Sequence, residues 1–235
     1  MPALDDFDSA KNAFMKAVSH NLRSPLGAVL SNLRVLATGV VKDESDINKL
    51  IGNALTRAED ALAIIDDMLA LLEIRTGTLP PPSETDVEKT ARAVMKKLEQ
   101  KAAGKNIVFS FEHIGKTGTI FICEKLFHIV LLNLMDNAVK YSDPGNTVEI
   151  RMAAEVDALK LEVADRGLVI GNEEMNNIYI EFWRAPNAKK YADHGTGLGL
   201  SIAKEACAAM GGGITASSAP ESGTNFIVSI PINKT

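Results

Sequence analysis

The chain has 235 residues, of which 46% are hydrophobic and 23% are charged. This composition is typical of globular proteins and excludes a disordered or collagen-like chain. Lys and Arg total 25 against 30 Asp and Glu, a net charge of −5. We therefore expect no nucleic-acid partner, because there is no basic excess to bind phosphates.

The two cysteines and the absence of export signals indicate a cytoplasmic location. Cys123 and Cys207 are far apart and show no metal-ligand spacing, so we interpret them as reduced thiols. No apolar run approaches the roughly 20 residues that cross a bilayer, and no cleavable leader pattern is present. We expect no membrane contact within this chain.

Residues 1–79 show helical periodicity in two stretches, which predicts a helical hairpin. The turn is expected at Gly39 and residues 42–46, and the second helix is expected to end near residues 76–77. The first apolar stripe contains Phe7, Phe14, Val18, Leu22, Val29, Leu33, Leu36 and Val40, and the second contains Ile47, Leu50, Ile51, Leu55, Ala58, Leu62, Ile65, Leu69 and Leu72. Pairing of two hairpins into a homodimeric four-helix bundle would cover these stripes. The alternative is that they pack against the rest of the same chain.

Residues 80–84, which include three prolines, are expected to form a linker. Residues 85–235 have a mixed α/β pattern. Helices are predicted over 87–102, over 124–141 and from about Gly199, and strands over 107–111, 119–123, 148–154, 159–164, 214–217 and 225–230.

A histidine precedes a proline in the middle of the first predicted helix. Pro25 removes a helical hydrogen bond and introduces a kink, at a cost of about 3 kcal/mol. His20 lies just over one turn before it, and a neutral imidazole is a competent nucleophile toward phosphorus. The alternative is an exposed histidine beside a tolerated proline.

A polar helical face is predicted in the helix over residues 124–141. Asn133, Asn137, Lys140 and Tyr141 have the spacing i, i+4, i+7 and i+8. An amide oxygen is a hard ligand for Mg²⁺, a lysine attracts phosphate, and a ring can cover a base. The alternative is a polar surface stripe.

Two further segments contain glycines at positions that could contact a nucleotide. Asp165 and Gly167 follow an apolar strand, where the carboxylate could accept a hydrogen bond from an exocyclic amino group, although ordinary turns use the same residues. Residues 195–199 read Gly195-Thr196-Gly197-Leu198-Gly199 and run into a helix, where backbone N–H groups could bind phosphate. They match neither a P-loop nor a dinucleotide fingerprint.

In this order, the segments resemble the boxes of bacterial sensor histidine kinases. Residues 20–26 resemble the phosphoacceptor box, residues 133–142 the asparagine box, and the two glycine segments the glycine boxes. An aromatic box is recognised between the glycine boxes in Tyr179, Phe182, Trp183 and Arg184, and a final hairpin in Gly223-Thr224-Asn225-Phe226 with Pro231.

The resemblance implies a fold of two domains and a function in two-component signalling. Residues 1–79 would be a dimerisation and histidine-phosphotransfer hairpin, and residues 85–235 an ATP-binding α/β sandwich with a mixed five-stranded sheet and three helices. The chain would autophosphorylate His20 from ATP and pass the phosphoryl group to an aspartate of a response regulator receiver domain. The segment between Asp165 and Gly195 would be a mobile lid.

The resemblance also implies roles for individual residues. Asn137 would bind Mg²⁺ with Asn133 beside it, Lys140 would contact phosphate, Tyr141 would border adenine, and Asp165 would bond its amino group. The other nucleotide-binding residues would be Gly167, Gly195, Thr196, Gly197, Leu198 and Gly199. Asn21 and Ser24 would act beside His20.

The chain departs from the family pattern in both regions. Asn21 replaces the usual acid, and an amide is no base near neutral pH, although it can align water for phosphatase activity. Ser24 replaces a frequent threonine and keeps a hydroxyl. In the first glycine box, Arg166 replaces the common asparagine and Val169 the second glycine, so we expect weaker nucleotide binding rather than its loss.

Two alternative functions remain open. A catalytically weak scaffold or phosphotransfer protein would explain Asn21 and Val169, while Asn137 and Lys140 oppose it. A related ATPase of the chaperone or mismatch-repair kind would have no use for a hairpin with a His-Pro box. No sensor segment is recognised, so we expect either a fragment of a receptor or a stand-alone kinase.

Overall fold

The computed structural model describes residues 2–114, 119–155, 157–191 and 195–232, with side chains from residue 15 onward except at 189. The chain forms two compact units, Met1–Leu69 and Ala70–Thr235. Each unit is described by itself.

The first unit confirms the predicted helical hairpin. Helix α1 spans Pro2–Ala37 and helix α2 spans Glu44–Thr76, continuing into the second unit. Gly39 lies between them with φ +65°, a conformation that favours glycine. The Asp43 carboxylate accepts hydrogen bonds from the backbone N–H groups of Ser45 (2.9 Å) and Asp46 (3.2 Å). This cap starts α2 at Glu44, three residues before the predicted Ile47.

The proline of the histidine segment lies inside α1, which continues as helix on both sides. Pro25 is buried, whereas His20 and Ser24 are exposed. The apolar ring therefore faces protein while both polar side chains face solvent.

Large apolar side chains remain exposed along both helices of the hairpin. Val18, Ala54, Ala61 and Ile64 are buried. By contrast, Leu33 is 49% exposed and Leu55 is 60% exposed. Other exposed apolar residues of the hairpin are Leu26, Leu30, Ile51, Leu62, Ile65 and Leu69. Much of each apolar stripe is thus accessible to solvent in a single chain.

The second unit contains a mixed five-stranded sheet and a separate two-stranded sheet. The large sheet has the order β2-β4-β5-β7-β6, in which β2 and β4 are parallel and the other pairs antiparallel. Its strands are β2 (Val108–Ile114), β4 (Thr147–Ala154), β5 (Ala158–Asp165), β6 (Gly213–Ala219) and β7 (Gly223–Pro231). The small antiparallel sheet pairs β1 (Ser83–Asp86) with β3 (Thr119–Ile122).

Three helices cover one face of the large sheet, which confirms the predicted α/β sandwich. They are α3 (Val87–Ala103), α4 (Glu124–Tyr141) and α6 (Gly199–Ala209). Alternate residues of the strands point into the core, and so β5 buries Leu159, Leu161 and Val163. Ile74 and Leu79 also pack against this core, so the last turn of α2 belongs to the second unit.

The structure adds three short elements that the sequence did not predict. They are β1, helix α5 (Asn172–Met175) and a 3₁₀ helix (Pro186–Lys190). The sequence of β1 is entirely polar, and the two helices have only four and five residues, too few to show a helical period. Among the described residues, no helix is long and apolar enough to span a membrane.

Truncation of the core should be far more costly than truncation at the surface. Phe127 of α4 is 0% exposed, whereas Phe121 of β3 is 47% exposed. We expect Phe127→Ala to lower the free energy of unfolding by about 3–5 kcal/mol, and the control Phe121→Ala to change it far less. Urea denaturation of the full chain measures both, and equal losses would contradict this packing.

Candidate functional site

Helix α4 presents four polar side chains that the sequence grouped on one face. Asn133, Asn137, Lys140 and Tyr141 are all half-buried, between the core and solvent. The opposite face of α4 is buried in the core, and it includes Phe127, Val130, Leu131, Leu134, Met135 and Ala138. The predicted one-face arrangement is therefore confirmed.

The second glycine segment approaches this face closely at the start of α6. A Cβ atom on Gly199 would lie 2.6 Å from Oδ1 of Asn133, closer than real side chains allow. The Nδ2 group of Asn133 donates to the carbonyl of Ile129 at 2.9 Å. A larger residue at position 199 would therefore displace the amide group of Asn133, whereas glycine lets α6 begin beside its oxygen.

Two cationic side chains lie at the start of the same glycine segment. A Cβ atom on Gly195 would be 3.6 Å from Nζ of Lys140, 3.7 Å from the Tyr141 hydroxyl and 3.8 Å from Cζ of Arg184. The sequence placed Arg184 only in the aromatic box. Its position beside Lys140 depends on the fold, because 44 residues separate the two in sequence.

Asp136 holds Lys140 from the neighbouring position on α4. Its carboxylate lies 3.4 Å from Nζ of Lys140 and also pairs with Lys101 of α3. Burial alone would raise the pKa of Asp136, but the charges of Lys140 and Lys101 outweigh burial and hold this pKa below its ordinary value. Asp136 therefore stays ionised and orients Lys140.

The aromatic box and the second glycine segment are joined through their backbones. Phe182 has φ +63° and donates its N–H to the carbonyl of Gly197 at 2.9 Å. Gly197 has φ +72°, and a Cβ atom there would lie 2.7 Å from the Phe182 carbonyl carbon. Next to it, the Thr196 hydroxyl accepts the N–H of Leu198 at 3.1 Å, and Leu198 is fully buried. Phe182 thus fixes the turn that leads into α6.

Asp165 supplies a buried acceptor at the end of β5. The residue is 4% exposed, and its Oδ1 atom has no hydrogen-bond partner among the described residues. Burial raises the pKa of Asp165 to about 7, with a further increase from Asp143 and a partial offset by Lys105. A buried unpaired carboxyl oxygen is costly, so this atom is suited to a ligand's N–H donor.

The first glycine segment packs directly on the end of α4. A Cβ atom on Gly167 would lie 1.9 Å from the Tyr141 carbonyl, which accepts the N–H of Leu168 at 2.9 Å. The final hairpin is equally close, because a Cβ atom on Gly223 would lie 1.9 Å from the Asp165 carbonyl. Val169 is half-buried, and its carbonyl accepts a hydrogen bond from Asn187 at 3.2 Å.

Lys105 stabilises the end of α4 in a way that the sequence analysis missed. Its Nζ donates to the carbonyl oxygens of Val139 (3.2 Å) and Lys140. Burial, followed by the charge of Lys101, lowers the pKa of Lys105. A lysine at a helix C-terminus is a recognised cap, but the contact joins residues 34 and 35 positions apart in sequence.

The histidine segment belongs to the first unit. His20 is exposed on α1, and the amide of Asn21 donates to the carbonyl of Ala17 at 2.8 Å. That bond uses Nδ2 and leaves Oδ1 of Asn21 as an acceptor on the residue that follows His20. The predicted lid, residues 166–194, includes residues 192–194, which lie outside the described part of the chain.

Two family models match the chain, one for each functional region. Residues 10–77 match the His Kinase A (phospho-acceptor) domain. Residues 122–234 match the histidine kinase-, DNA gyrase B- and HSP90-like ATPases. The first match accounts for the hairpin, which the chaperone-type alternative does not.

Individual relatives agree with the family models. An uncharacterized sensor-like histidine kinase of Rhizobium meliloti is 31% identical over 95% of this chain and 43% of its own length. The histidine protein kinase SaeS of Staphylococcus aureus is 23% identical over 94% of this chain and 63% of its own length. The chain thus spans about half the length of these curated relatives.

Solved structures share the fold. The histidine kinase AdeS of Acinetobacter baumannii has a TM-score of 0.74 at 23% identity, covering 92% of this chain and 98% of that one. The kinase ThkA, solved with the response regulator protein TrrA, has a TM-score of 0.72 at 21% identity, covering 97% of this chain and 64% of that one. Because the two family models together match residues 10–77 and 122–234, this chain belongs to the histidine kinases and contains the catalytic core of a sensor histidine kinase.

Proposed function

We propose that this chain is a histidine kinase core that binds Mg-ATP, phosphorylates His20 and passes the phosphoryl group to an aspartate of a response regulator receiver domain. The observation that carries the proposal is the buried, unpartnered Oδ1 of Asp165 at one end of the α4 face. Lys140 and Arg184 lie near the glycine segment at Gly195. Both features border the polar face of α4. The buried acceptor suits the amino group of adenine, and the cationic region suits the phosphates of a nucleotide.

The adenine would bind at Asp165. A carboxylate accepts the N–H of an exocyclic amino group, and Gly167 leaves no side chain between β5 and the end of α4. Tyr141 would border the base. Guanine offers a carbonyl oxygen where adenine has its amino group, so the same carboxylate would repel it, and we expect a preference for ATP.

The phosphates would bind between α4 and the second glycine segment. Lys140 and Arg184 supply positive charge, and Gly195, Gly197 and Gly199 permit close approach of the backbone. Thr196 and Leu198 complete this segment. Asp136 limits the freedom of Lys140, so less entropy is lost when phosphate binds.

Asn137 is the proposed metal ligand, with Asn133 beside it. No cluster of three or more His, Cys, Asp or Glu able to hold a metal occurs among the described residues. Mg²⁺ would therefore bind through the amide oxygen of Asn137 together with phosphate oxygens, and would neutralise charge on the transferred group.

The proposed transfer uses His20 as the nucleophile. A neutral imidazole nitrogen forms a bond to the γ-phosphorus, the bond to the β,γ-bridging oxygen breaks, and ADP leaves with that electron pair. The imidazole proton goes to solvent, because Asn21 is not a base. The Oδ1 atom of Asn21 would instead accept a hydrogen bond from water, as phosphatase activity requires, and the exposed Ser24 lies three residues later on the same helix.

We further propose the domain boundaries and cellular setting that the sequence predicted. Residues 1–79 act as the phosphotransfer hairpin and 85–235 as the catalytic domain, in the cytoplasm. Residues 80–84 act as the linker, of which the last two already pair in β1, and the last turn of α2 packs with the second unit. The exposed stripes of α1 and α2 support a homodimer, since pairing would remove them from water at about 25 cal/mol per Å².

A catalytically weak scaffold is the second candidate, favoured by Asn21. The amide cannot take the imidazole proton, and its Nδ2 is already bonded to Ala17. The scaffold would bind nucleotide and dimerise without labelling His20 readily.

The dimer should depend on the exposed stripe. We expect the chain to sediment as a dimer at micromolar concentration, and the double variant Leu55→Lys/Leu62→Lys to be monomeric, because both leucines are 60% exposed. The control Val108→Lys alters an apolar residue of the second unit that is 64% exposed, and should remain dimeric. A monomeric wild type in sedimentation velocity would contradict the proposal.

Asp165→Asn should weaken ADP binding at pH 8 about 10- to 100-fold, the value of a hydrogen bond to a charged acceptor. The control Asp143→Asn, an exposed carboxylate nearby, should bind like wild type. Isothermal titration calorimetry measures all three proteins, and equal losses in both variants would contradict an adenine contact at Asp165.

The raised pKa of Asp165 also predicts pH dependence. Wild-type affinity for ADP should fall as the pH decreases through about 7, because the carboxyl becomes protonated. In the nucleotide-free chain, the stability of the fold depends on pH in the opposite direction. The raised pKa stabilises the fold most below about pH 4, and this stabilisation is lost as the pH rises through about 7. The thermal midpoint of Asp165→Asn should therefore change less than that of wild type between pH 4 and pH 8.

Labelling with γ-labelled ATP tests the kinase against the scaffold. His20→Ala should abolish protein labelling, whereas the control His113→Ala should keep it, because His113 pairs with Glu88 in the second unit. Asn21→Asp should raise the labelling rate toward 10²-fold, the lower end of general-base effects. Undiminished labelling of His20→Ala would exclude His20 as acceptor, and labelling of Asn21→Asp alone would favour the scaffold for wild type.

A further inference from the structure

The last turn of α2 carries an arginine that binds two carboxylates from separate segments. Nε of Arg75 donates to both carboxylate oxygens of Glu205, at 3.0 and 3.2 Å. Its Nη2 group donates to Glu205 and to Glu181. All three residues belong to the second unit.

The two carboxylates belong to the two segments that lead to the phosphate end of the proposed site. Glu181 directly precedes Phe182, whose N–H is bonded to the carbonyl of Gly197. Glu205 lies on α6, the helix that begins at Gly199 beside Asn133. Arg75 therefore joins the aromatic box with the helix that follows the second glycine segment.

The charge of Arg75 is needed to keep the two carboxylates together. Both Glu181 and Glu205 are within bonding distance of the same guanidinium nitrogen, so their negative charges would repel without it. Ile74, the preceding residue, packs against the core and fixes the helix end from which Arg75 extends. The hydrogen bonds that Arg75 donates to Glu205, and to a lesser extent to Glu181, raise the pKa of the guanidinium above its usual value.

We propose that Arg75 is a positioning residue for nucleotide binding. By holding Glu181 and Glu205 together, it keeps Phe182, Gly197 and the start of α6 in the arrangement that receives the phosphates. The inference rests on the proposed function, because it assigns the phosphates to this end of the site. It also makes the last turn of α2 a determinant of nucleotide affinity.

Mg-ATP affinity in the full chain tests the proposal, with a matched control at the same helix end. The side chain of Arg75 is 44% exposed, so we expect Arg75→Ala to raise the dissociation constant only about 3- to 10-fold. Glu73, two residues earlier on the same helix end, pairs with Lys125 of α4 instead. Glu73→Gln should therefore leave the affinity unchanged.

A second substitution separates positioning from a general loss of stability. Adding Glu181→Gln to Arg75→Ala removes the repulsion between the carboxylates, so part of the lost affinity should return. Arg75→Lys should be intermediate, because an ammonium cannot match the bidentate contact to Glu205. If Arg75→Ala acted only by lowering the stability of the fold, the double variant would not regain ATP affinity.

Amide hydrogen exchange in the nucleotide-free chain tests the step before binding. The Phe182 N–H should exchange about 3- to 10-fold faster in Arg75→Ala than in wild type, and as in wild type in Glu73→Gln. If Arg75→Ala changes neither the ATP affinity nor the exchange rate of the Phe182 N–H, the inference about Arg75 is overturned while the proposed function stands. Failure of wild type to bind Mg-ATP would overturn the proposed function and this inference with it.

Discussion

The candidate site depends on the close approach of three backbone segments to helix α4 and strand β5. Gly167 lies against the carbonyl of Tyr141, Gly199 against the amide of Asn133, and Gly223 against the carbonyl of Asp165. At each position a Cβ atom would come within 2.6 Å of the neighbouring atom or closer. The glycines therefore let α4, β5, β7 and α6 converge, and the polar face of α4 can then be lined by residues distant in sequence.

This convergence gives the site two chemically different ends. At the Asp165 end, burial leaves an acceptor without a protein partner, a cost that a bound amino group would offset. At the Gly195 end, Lys140 and Arg184 bring positive charge close together, and anionic phosphates would relieve their repulsion. A nucleotide would satisfy both ends at once, through its amino group at Asp165 and its phosphates at Gly195.

Local patterns predicted the elements and several of the functional positions. The helix over 124–141 was predicted with its observed bounds, because apolar periodicity and a polar face extend along its whole length. The helical hairpin, the main strands and the face of Asn133, Asn137, Lys140 and Tyr141 follow from spacing in the same way. The start of α2 was placed three residues late, because the Asp43 cap acts before the apolar period begins.

Features that depend on long-range contacts could not be predicted from local sequence. Lys105 reaches the end of α4, and Arg184 reaches Lys140, only after the chain has folded. Arg75 pairs with Glu205 over 130 residues. Strand β1 was missed because its sequence, Ser83-Glu84-Thr85-Asp86, is polar and its antiparallel partner lies more than 30 residues later.

Phosphorylation of His20 is tested most directly by the chemical identity of the label that the protein takes from ATP. The chain is incubated with Mg-ATP labelled at the γ-phosphate, and the protein is digested and mapped by mass spectrometry. Our account predicts a phosphoramidate on the peptide containing His20, lost in acid, stable in base, and removed when a cognate receiver domain is added. Release of inorganic phosphate with no label on the protein, or an acid-stable label elsewhere, would contradict it.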